Sequence, residues 1–293
     1  MCIRDRNGTL VHWLDVDRQG VISVQQLEDL LKQGASLVSI IWAQHETGVL
    51  QPMQKIAELC QTHGVPLHTD ATQIVNKIPI DLQKIPISAL TFSGHKFHGP
   101  KGVGGLFIRG NTPLRPLLLG GFQQFGARPG TESPVLAEGL WAAWKWSNSQ
   151  MGESIQALRK MRDFLEHQIT MVFPDVVFHG DQTKRAPQTS CFSVAGIDRQ
   201  ALLMTLDQSG IACSTGAACE SGAVQRSPIL EAMKCETSML DAAIRLSVGY
   251  LNTNQEMVLA AHRITMCINN LQKTISSPKT PAPARRQGLK MVD

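Results

Sequence analysis

The chain has 293 residues, of which 43% are hydrophobic and 18% are charged, and its net charge is +4. This composition is typical of a globular protein with one or two domains, and no apolar run approaches the roughly 18 residues that suggest a membrane span. Because part of the positive charge lies in the tail after residue 278, the charge does not indicate nucleic-acid binding.

Cysteine usage indicates a reducing compartment. The seven cysteines are irregularly spaced and form no CxxC pair, so neither a disulfide framework nor a zinc knuckle is indicated. Free thiols fit the cytosol or an organelle matrix. Residues 1–9 carry no secretory signal and have no clear relation to the rest of the chain, and we interpret them as a non-native or disordered leader.

Helices and strands alternate in the first half. A capping-box pattern from Ser23 to Gln26 predicts a helix that ends at Gly34, and Pro52 predicts the start of a second helix that ends at Gly64. Four strands are predicted, at residues 36–42, 65–69, 87–92 and 103–108. The first is a continuous apolar run, which we expect to be buried on both faces. The alternation predicts a mainly parallel α/β sheet.

Polar residues follow the strands of this sheet, at the carboxyl ends where ligands bind in such folds. Asp70 follows the second strand, and Ser93, His95 and Lys96 follow the third. A lysine held among apolar neighbours has a lowered pKa, and its free amine forms a Schiff base with a carbonyl. Lys96 is therefore a candidate for that chemistry. The alternative is a surface loop that happens to contain Lys96 and Lys101.

The second half predicts a smaller α+β domain. A glycine- and proline-rich loop at 113–134 precedes a helical region at 135–173, in which we interpret the tryptophans as packing residues. Further strands are predicted at 190–194, 211–213 and 244–248, with a helix at 199–208. We place the large domain at 10–150, the small domain at 151–275 and a disordered tail at 276–293.

A second capping box, from Thr253 to Glu256, predicts the last helix. Five of its residues are expected to face inward: Val258, Ala261, Ile264, Ile268 and Leu271.

Four stretches stand in a fixed order along the chain: 68–73, 93–96, 128–131 and 214–219, the last followed by 244–249. In this order they resemble the pyridoxal phosphate (PLP)-dependent cysteine desulfurases of the class V aminotransferase family, over about residues 11 to 272. The resemblance implies the type I fold of PLP-dependent transferases, with a mainly parallel large-domain sheet and a smaller α+β C-terminal domain. It also implies PLP as cofactor.

The resemblance assigns five residues to the cofactor. Asp70 would keep the pyridine nitrogen protonated, so that PLP acts as an electron sink; the alternative is a turn cap. Gln73 would bind the ring oxygen, and is otherwise a surface glutamine. Ser93 and His95 fit the phosphate site, and Lys96 matches the Schiff-base lysine. A metal site at His95 and its near neighbour His98 has no evident third ligand.

Two further residues match contacts to a neighbouring subunit and to substrate. Thr131 matches a threonine that reaches the phosphate of the other subunit, which implies a homodimer; the alternative is a plain tight turn. Arg245 matches the arginine that pairs with the carboxylate of L-cysteine, and is otherwise a surface arginine. His45 stands where the family has an asparagine that helps to hold the substrate.

Cys219 matches the thiol that separates a desulfurase from an aminotransferase. It would take the sulfur of L-cysteine as a persulfide and release alanine. Cys191 and Cys213, in apolar strands, are interpreted as structural. The long segment from Cys219 to Arg245 resembles the group that serves iron–sulfur cluster assembly, so an iron–sulfur scaffold or another sulfur acceptor is the implied partner.

The match departs from the family at the start of the chain. No residue here can serve as the family's phosphate-binding threonine loop or as the histidine that stacks on PLP. We therefore expect a fragment that binds PLP poorly. The alternatives are a class V aminotransferase or selenocysteine lyase on the same fold, and a non-catalytic fragment.

Overall fold

The computed structural model describes residues 8–110, 112–180, 182, 184–216 and 226–276. The first elements are α1 (Val24–Lys32), β1 (Val38–Ile41), α2 (Met53–Thr62), β2 (Leu67–Asp70), β3 (Ala89–Ser93), a 3₁₀-helix (Gly94–Phe97) and β4 (Gly104–Ile108). The later elements are a 3₁₀-helix (Gln123–Gly126), α3 (Pro134–Ser149), α4 (Met151–Val172), β5 (Val177–Phe178), β6 (Thr189–Ser193), α5 (Arg199–Gln208), α6 (Pro228–Ala232), α7 (Thr237–Leu240), β7 (Ile244–Ser247) and α8 (Asn254–Ser276). No helix in these ranges combines the length and the apolar character needed to cross a membrane.

The first sheet has the strand order β1-β2-β3-β4. Strands β1, β2 and β3 run parallel, and β4 pairs antiparallel with β3, which confirms the predicted mainly parallel α/β sheet. Burial of β1 on both faces was a wrong expectation, since Ile41 is 44% exposed. Strand β1 is the edge strand of the sheet. Of its residues, only Val38 and Ile40 face the core, because side chains alternate between the two faces of a strand.

Both predicted capping boxes lie at helix starts. The Ser23 hydroxyl accepts a hydrogen bond from Gln26 N at 3.2 Å and caps α1, while the Gln26 side chain accepts from Asp15 N at 2.7 Å. At α8 the box is reciprocal: Thr253 N donates to Glu256 Oε2 at 2.7 Å, and Glu256 N donates to Thr253 Oγ1 at 3.2 Å. Local sequence therefore sets both helix starts.

The second sheet is antiparallel, with the order β5-β6-β7. Helix α8 packs against α4 and α5, and together with the sheet they bury a core that includes Ile169, Phe192, Leu202, Ile244 and Ile264. This is the α+β arrangement predicted for the second half. The domain boundaries stay a prediction.

Details of the second half differ from expectation. Residues 211–213 form no strand, because the backbone after α5 reaches β7 only at Ser214, which pairs with Arg245 in an isolated bridge. In α8, Val258 is 59% exposed and Met257 is buried instead. Met257, Ala261, Ile264 and Ile268 follow the spacing of one helix face, which Val258 does not share.

The predicted helical region 135–173 divides at Gln150 into α3 and α4. Trp144 packs in the core, with ring centroids 5.5 Å from Phe92 and 5.9 Å from Phe97, as interpreted from the sequence, whereas Trp141 is exposed. Residues 1–7 of the predicted leader and 277–293 of the predicted tail lie outside the described residues.

Candidate active site

Asp70 and Lys96 lie at one edge of the first sheet. Asp70 ends β2, and Lys96 lies in the 3₁₀-helix directly after β3. Because β2 and β3 are parallel neighbours, their carboxyl ends meet at the same edge. The turn needs Gly94, since a Cβ there would lie 2.8 Å from Leu140 Cδ1 and 3.1 Å from Val103 O.

Lys96 presents an exposed amine. Within the described ranges, no hydrogen bond or ion pair engages its side chain. The surroundings differ from those expected, because Gly94 and Phe97 of this turn are buried while Lys96 itself is exposed. Its amine is therefore available to an incoming carbonyl compound.

A cavity of about 190 Å³ opens beside Lys96. Gln73 and Lys77 line it from the turn after β2, and Gln188 and Tyr250 line it from the second half of the chain. The Gln188 Oε1 atom is buried and has no hydrogen-bond partner in the described structure. The cavity therefore holds polar groups that could bind a polar molecule.

Side chains of the second half hold this region to the first half by hydrogen bonds to backbone oxygens. In these hydrogen bonds, Gln188 Nε2 donates to Gln73 O (3.1 Å), Tyr250 Oη donates to Asn76 O (2.7 Å) and Arg245 Nη1 donates to His45 O (3.1 Å). The last of these bonds brings Arg245 to the carboxyl ends of the strands of the first sheet, where Lys96 lies.

The buried lysine of the site is Lys77, not Lys96. Lys77 is 9% exposed, and burial, with a smaller contribution from the charge of Lys96, lowers its pKa to about 8. A lysine in the unfolded chain has a pKa of about 10.4. As pH rises, the folded chain therefore releases this proton first, and stability rises with pH between about pH 8 and 10.5.

Replacing Lys77 by methionine is expected to stabilise the chain by about 3 kcal/mol at pH 7, because no buried ammonium remains to be desolvated. The gain should shrink toward pH 10, where Lys77 is neutral in the folded wild type. Urea unfolding at both pH values measures this. The exposed Lys101→Met variant is the control, with an expected change within about 0.5 kcal/mol. Equal stability of Lys77→Met and wild type at pH 7 would contradict the burial argument.

Four charges act on the imidazole of His45. Burial is the main cause that lowers the pKa of His45. The carboxylates of Glu46 and Asp70 oppose this shift, and the cations of Arg245 and Lys96 add to it. The structure thus brings together four of the predicted site residues, His45, Asp70, Lys96 and Arg245.

Two predicted phosphate ligands lie next to Lys96. Ser93 Oγ is 2.9 Å from His95 Nδ1, so a hydroxyl and an imidazole stand side by side. Asp70 Oδ1 accepts a hydrogen bond from Thr72 N at 2.8 Å, so the turn-cap alternative also holds. The second oxygen of Asp70 makes no hydrogen bond to the described residues and is available to a ligand.

The metal alternative finds no further ligands. His98 adopts a left-handed backbone conformation, and its ring lies 5.6 Å from the Tyr250 ring and 6.0 Å from the Trp146 ring. Across the described ranges, no group of three or more His, Cys, Asp or Glu side chains could hold a metal ion.

The roles predicted for Thr131 and Cys219 stay predictions. Thr131 is exposed, and no hydrogen bond or ion pair joins it to the other candidates in the described part of the chain. Cys219 lies outside the described residues. Burial raises the pKa of Cys191 to about 12 and that of Cys213 to about 11, so both remain protonated thiols at neutral pH, in keeping with the structural role interpreted for them.

Lys77, Gln188 and Glu46 are site residues that sequence reasoning missed. Lys77 follows Asn76 between Val75 and Ile78, and this local pattern does not show that its side chain is buried. Gln188 likewise carries no local signal, since only folding brings it to Gln73.

Comparison with known proteins places the fold and the family. The family model described as Aminotransferase class-V matches residues 2–259. The chain superposes on the solved structure of a NifS-like protein from Rickettsia africae ESF-5 with a TM-score of 0.80 at 28% sequence identity. The superposed region covers 87% of this chain and 69% of the Rickettsia protein. The predicted fold type is confirmed. The chain belongs to the class V aminotransferase family.

Curated relatives within the family are named as desulfurases. A cysteine desulfurase of Cereibacter sphaeroides is 40% identical over 252 residues, which are 86% of this chain and 64% of the relative. The cysteine desulfurase NifS of Azotobacter vinelandii is 38% identical over 250 residues, which are 85% of this chain and 62% of the relative. The chain therefore spans somewhat less than two thirds of the length of these relatives.

Proposed function

We propose that this chain carries the cofactor lysine and the sulfur-accepting cysteine of a cysteine desulfurase, which converts L-cysteine to L-alanine with PLP. The observation that carries the proposal is the placement of Asp70 at the end of β2 and of Lys96 directly after β3, with Arg245 Nη1 bound to His45 O at 3.1 Å. The names of the curated relatives support the same activity.

The residues at the sheet edge fit PLP. Lys96 offers an amine without a hydrogen bond in the described structure, and Asp70 offers a carboxylate oxygen. Ser93 and His95 offer donors for a phosphate, and Gln73 lines the adjoining cavity. When bound, PLP supplies an electron sink for the charge that develops on the substrate carbon.

The side chains divide the remaining work. Asp70 holds a proton on the pyridine nitrogen, because an adjacent carboxylate favours the charged form of that ring. The Lys96 amine moves a proton to and from the substrate Cα. Arg245 uses one nitrogen, Nη1, to bind His45 O, and its remaining donors bind the substrate carboxylate.

The sulfur step balances without an external oxidant. The Cys219 thiolate attacks the sulfur of L-cysteine, so that an S–S bond forms and the substrate Cβ–S bond breaks. The electron pair stays on the carbon, which takes a proton, and alanine leaves. A thiol and cysteine become a persulfide and alanine. The described flank of the Cys219 segment supports this role, since Ser214 pairs with Arg245 through backbone bonds of 2.7 and 3.1 Å.

The functional unit is a homodimer in which Thr131 reaches the phosphate site of the other subunit. The loop before Thr131 supports this, because it exposes large apolar side chains that a second copy could cover. Each of them is at least 82% exposed: Leu117, Leu119, Phe122 and Phe125. The persulfide sulfur then passes to an acceptor protein, such as an iron–sulfur scaffold.

The test uses the purified chain with saturating PLP and L-cysteine. We expect alanine release and a persulfide on Cys219, detected by alkylation and mass spectrometry, and the accompanying PLP titration should show weak binding. Amino transfer to a 2-oxo acid with no sulfur on Cys219 would instead indicate an aminotransferase. Absence of both alanine and persulfide at every PLP concentration would contradict the proposal.

A further inference from the structure

The two carboxylate oxygens of Glu46 face different elements. Glu46 is buried, with 2% of its side chain exposed. Its Oε2 accepts a hydrogen bond from Ser227 Oγ at 2.6 Å, and its Oε1 lies 3.8 Å from His45 Nε2. A buried carboxylate is costly unless its partners compensate, so these contacts are what hold it in place.

Gly216 also lies against Glu46. A Cβ at Gly216 would be only 2.6 Å from Glu46 Oε2, and φ is +91°, so this close approach requires a glycine. Glu46 therefore contacts both described flanks of the segment 217–225, which carries Cys219: Gly216 on one side and Ser227 on the other.

Further bonds connect these flanks to the substrate side. Ser214, two residues before Gly216, pairs with Arg245, and Arg245 Nη1 donates to His45 O at 3.1 Å. The Ser227 hydroxyl also accepts from Leu230 N at 3.1 Å and so caps α6. Its orientation toward Glu46 is therefore maintained by the helix.

We infer that Glu46 is a positioning residue that couples the flanks of the segment carrying Cys219 to His45: one oxygen sets the approach of both flanks, and the other lies beside the imidazole and favours its charged form. The inference rests on the proposed function, because it concerns how the sulfur-accepting thiol is aligned with the bound substrate. Catalytic contact belongs to Cys219 and Arg245, and Glu46 acts through them.

Three variants separate the two roles. Glu46→Gln keeps an oxygen that can accept from Ser227 but removes the charge, Ser227→Ala removes the hydroxyl but keeps the charge, and Glu46→Ala removes both. The other charges that face His45, from Asp70, Lys96 and Arg245, are unchanged in all three.

Amide hydrogen exchange measures how firmly Glu46 holds the two flanks in place. Exchange at residues 211–216 and 226–230 is expected to become about tenfold faster in Glu46→Ala and in Ser227→Ala, the effect of one lost hydrogen bond, and to stay unchanged in Glu46→Gln. Because Glu46→Ala leaves the Ser227 cap of α6 intact, faster exchange in that variant cannot come from a lost cap.

NMR titration of His45 measures the effect of the Glu46 charge on the imidazole. The His45 signal is assigned as the one that is missing in His45→Asn. Since the charge of Glu46 raises the pKa of His45, the titration should move to lower pH in Glu46→Gln and Glu46→Ala, and stay in place in Ser227→Ala.

A His45 titration unchanged in Glu46→Gln overturns the inference, as does unchanged exchange in Glu46→Ala. Should Glu46→Ala not fold, the His45 titration in Glu46→Gln decides, together with exchange at residues 211–216 in Ser227→Ala, which lie outside the capped helix α6. Neither measurement uses PLP or cysteine turnover, so failure of the proposed function would leave both results standing.

Discussion

Replacing Lys96 by alanine is expected to abolish covalent capture of PLP by this chain. Covalent attachment requires a free amine within reach of the aldehyde, and Lys96 is the exposed amine at the carboxyl ends of β2 and β3. The measurement is borohydride reduction in saturating PLP, followed by mass spectrometry of the peptides. In the wild type, the label should map to Lys96.

Two neighbouring lysines provide the controls for this result. Lys101 is exposed five residues after Lys96 and matches no cofactor role, so Lys101→Ala should keep full labelling. Lys77 lines the same cavity but is 9% exposed, so Lys77→Met should also keep the label on Lys96. Labelling that persists in Lys96→Ala and maps to either neighbour would show that the wrong amine has been assigned.

Replacing Cys219 by serine is expected to reduce both alanine release from L-cysteine and persulfide formation to background. The step needs a thiolate to attack sulfur, and a serine hydroxyl is a far weaker nucleophile at neutral pH. Alanine is measured by chromatography, and the persulfide is measured by alkylation and mass spectrometry in the same samples.

Cys213→Ser is the matched control for this variant. Cys213 precedes Cys219 by six positions, but burial raises its pKa to about 11, so it stays protonated and unreactive at pH 7 and its loss should leave turnover intact. Undiminished alanine release in Cys219→Ser, or sulfur found on Cys213, would refute the role given to Cys219. An aminotransferase would be indifferent to either substitution.

Much of the fold follows from local patterns in the chain. The caps of α1 and α8 need only residues three positions apart, such as Thr253 and Glu256, which bind each other without help from distant parts of the structure. Periodicity likewise locates the strands of the first sheet. Local patterns could not show that β1 lies at an edge, because that depends on which strand ends the sheet, and Ile41 is exposed for this reason.

The same division holds for the site. Asp70 and Lys96 were predictable, because the carboxyl ends of parallel strands meet wherever such a sheet forms. The burial of Lys77 and the contacts of Glu46 with Gly216 and Ser227 were not, because they join residues that are more than one hundred positions apart or depend on the depth of the cavity.

Residue types and their spacing were thus enough to predict an α/β chain with a lysine and a carboxylate at strand ends, and the order of its motifs carried the resemblance to the class V aminotransferase family. Only the tertiary structure decided that Lys77 is the buried lysine. It also decided that one carboxylate, that of Glu46, contacts both flanks of the segment that carries Cys219. The reason is physical: hydrogen-bonded caps and strand periodicity act over a few residues, whereas burial and charge act through space between segments that the chain order keeps apart.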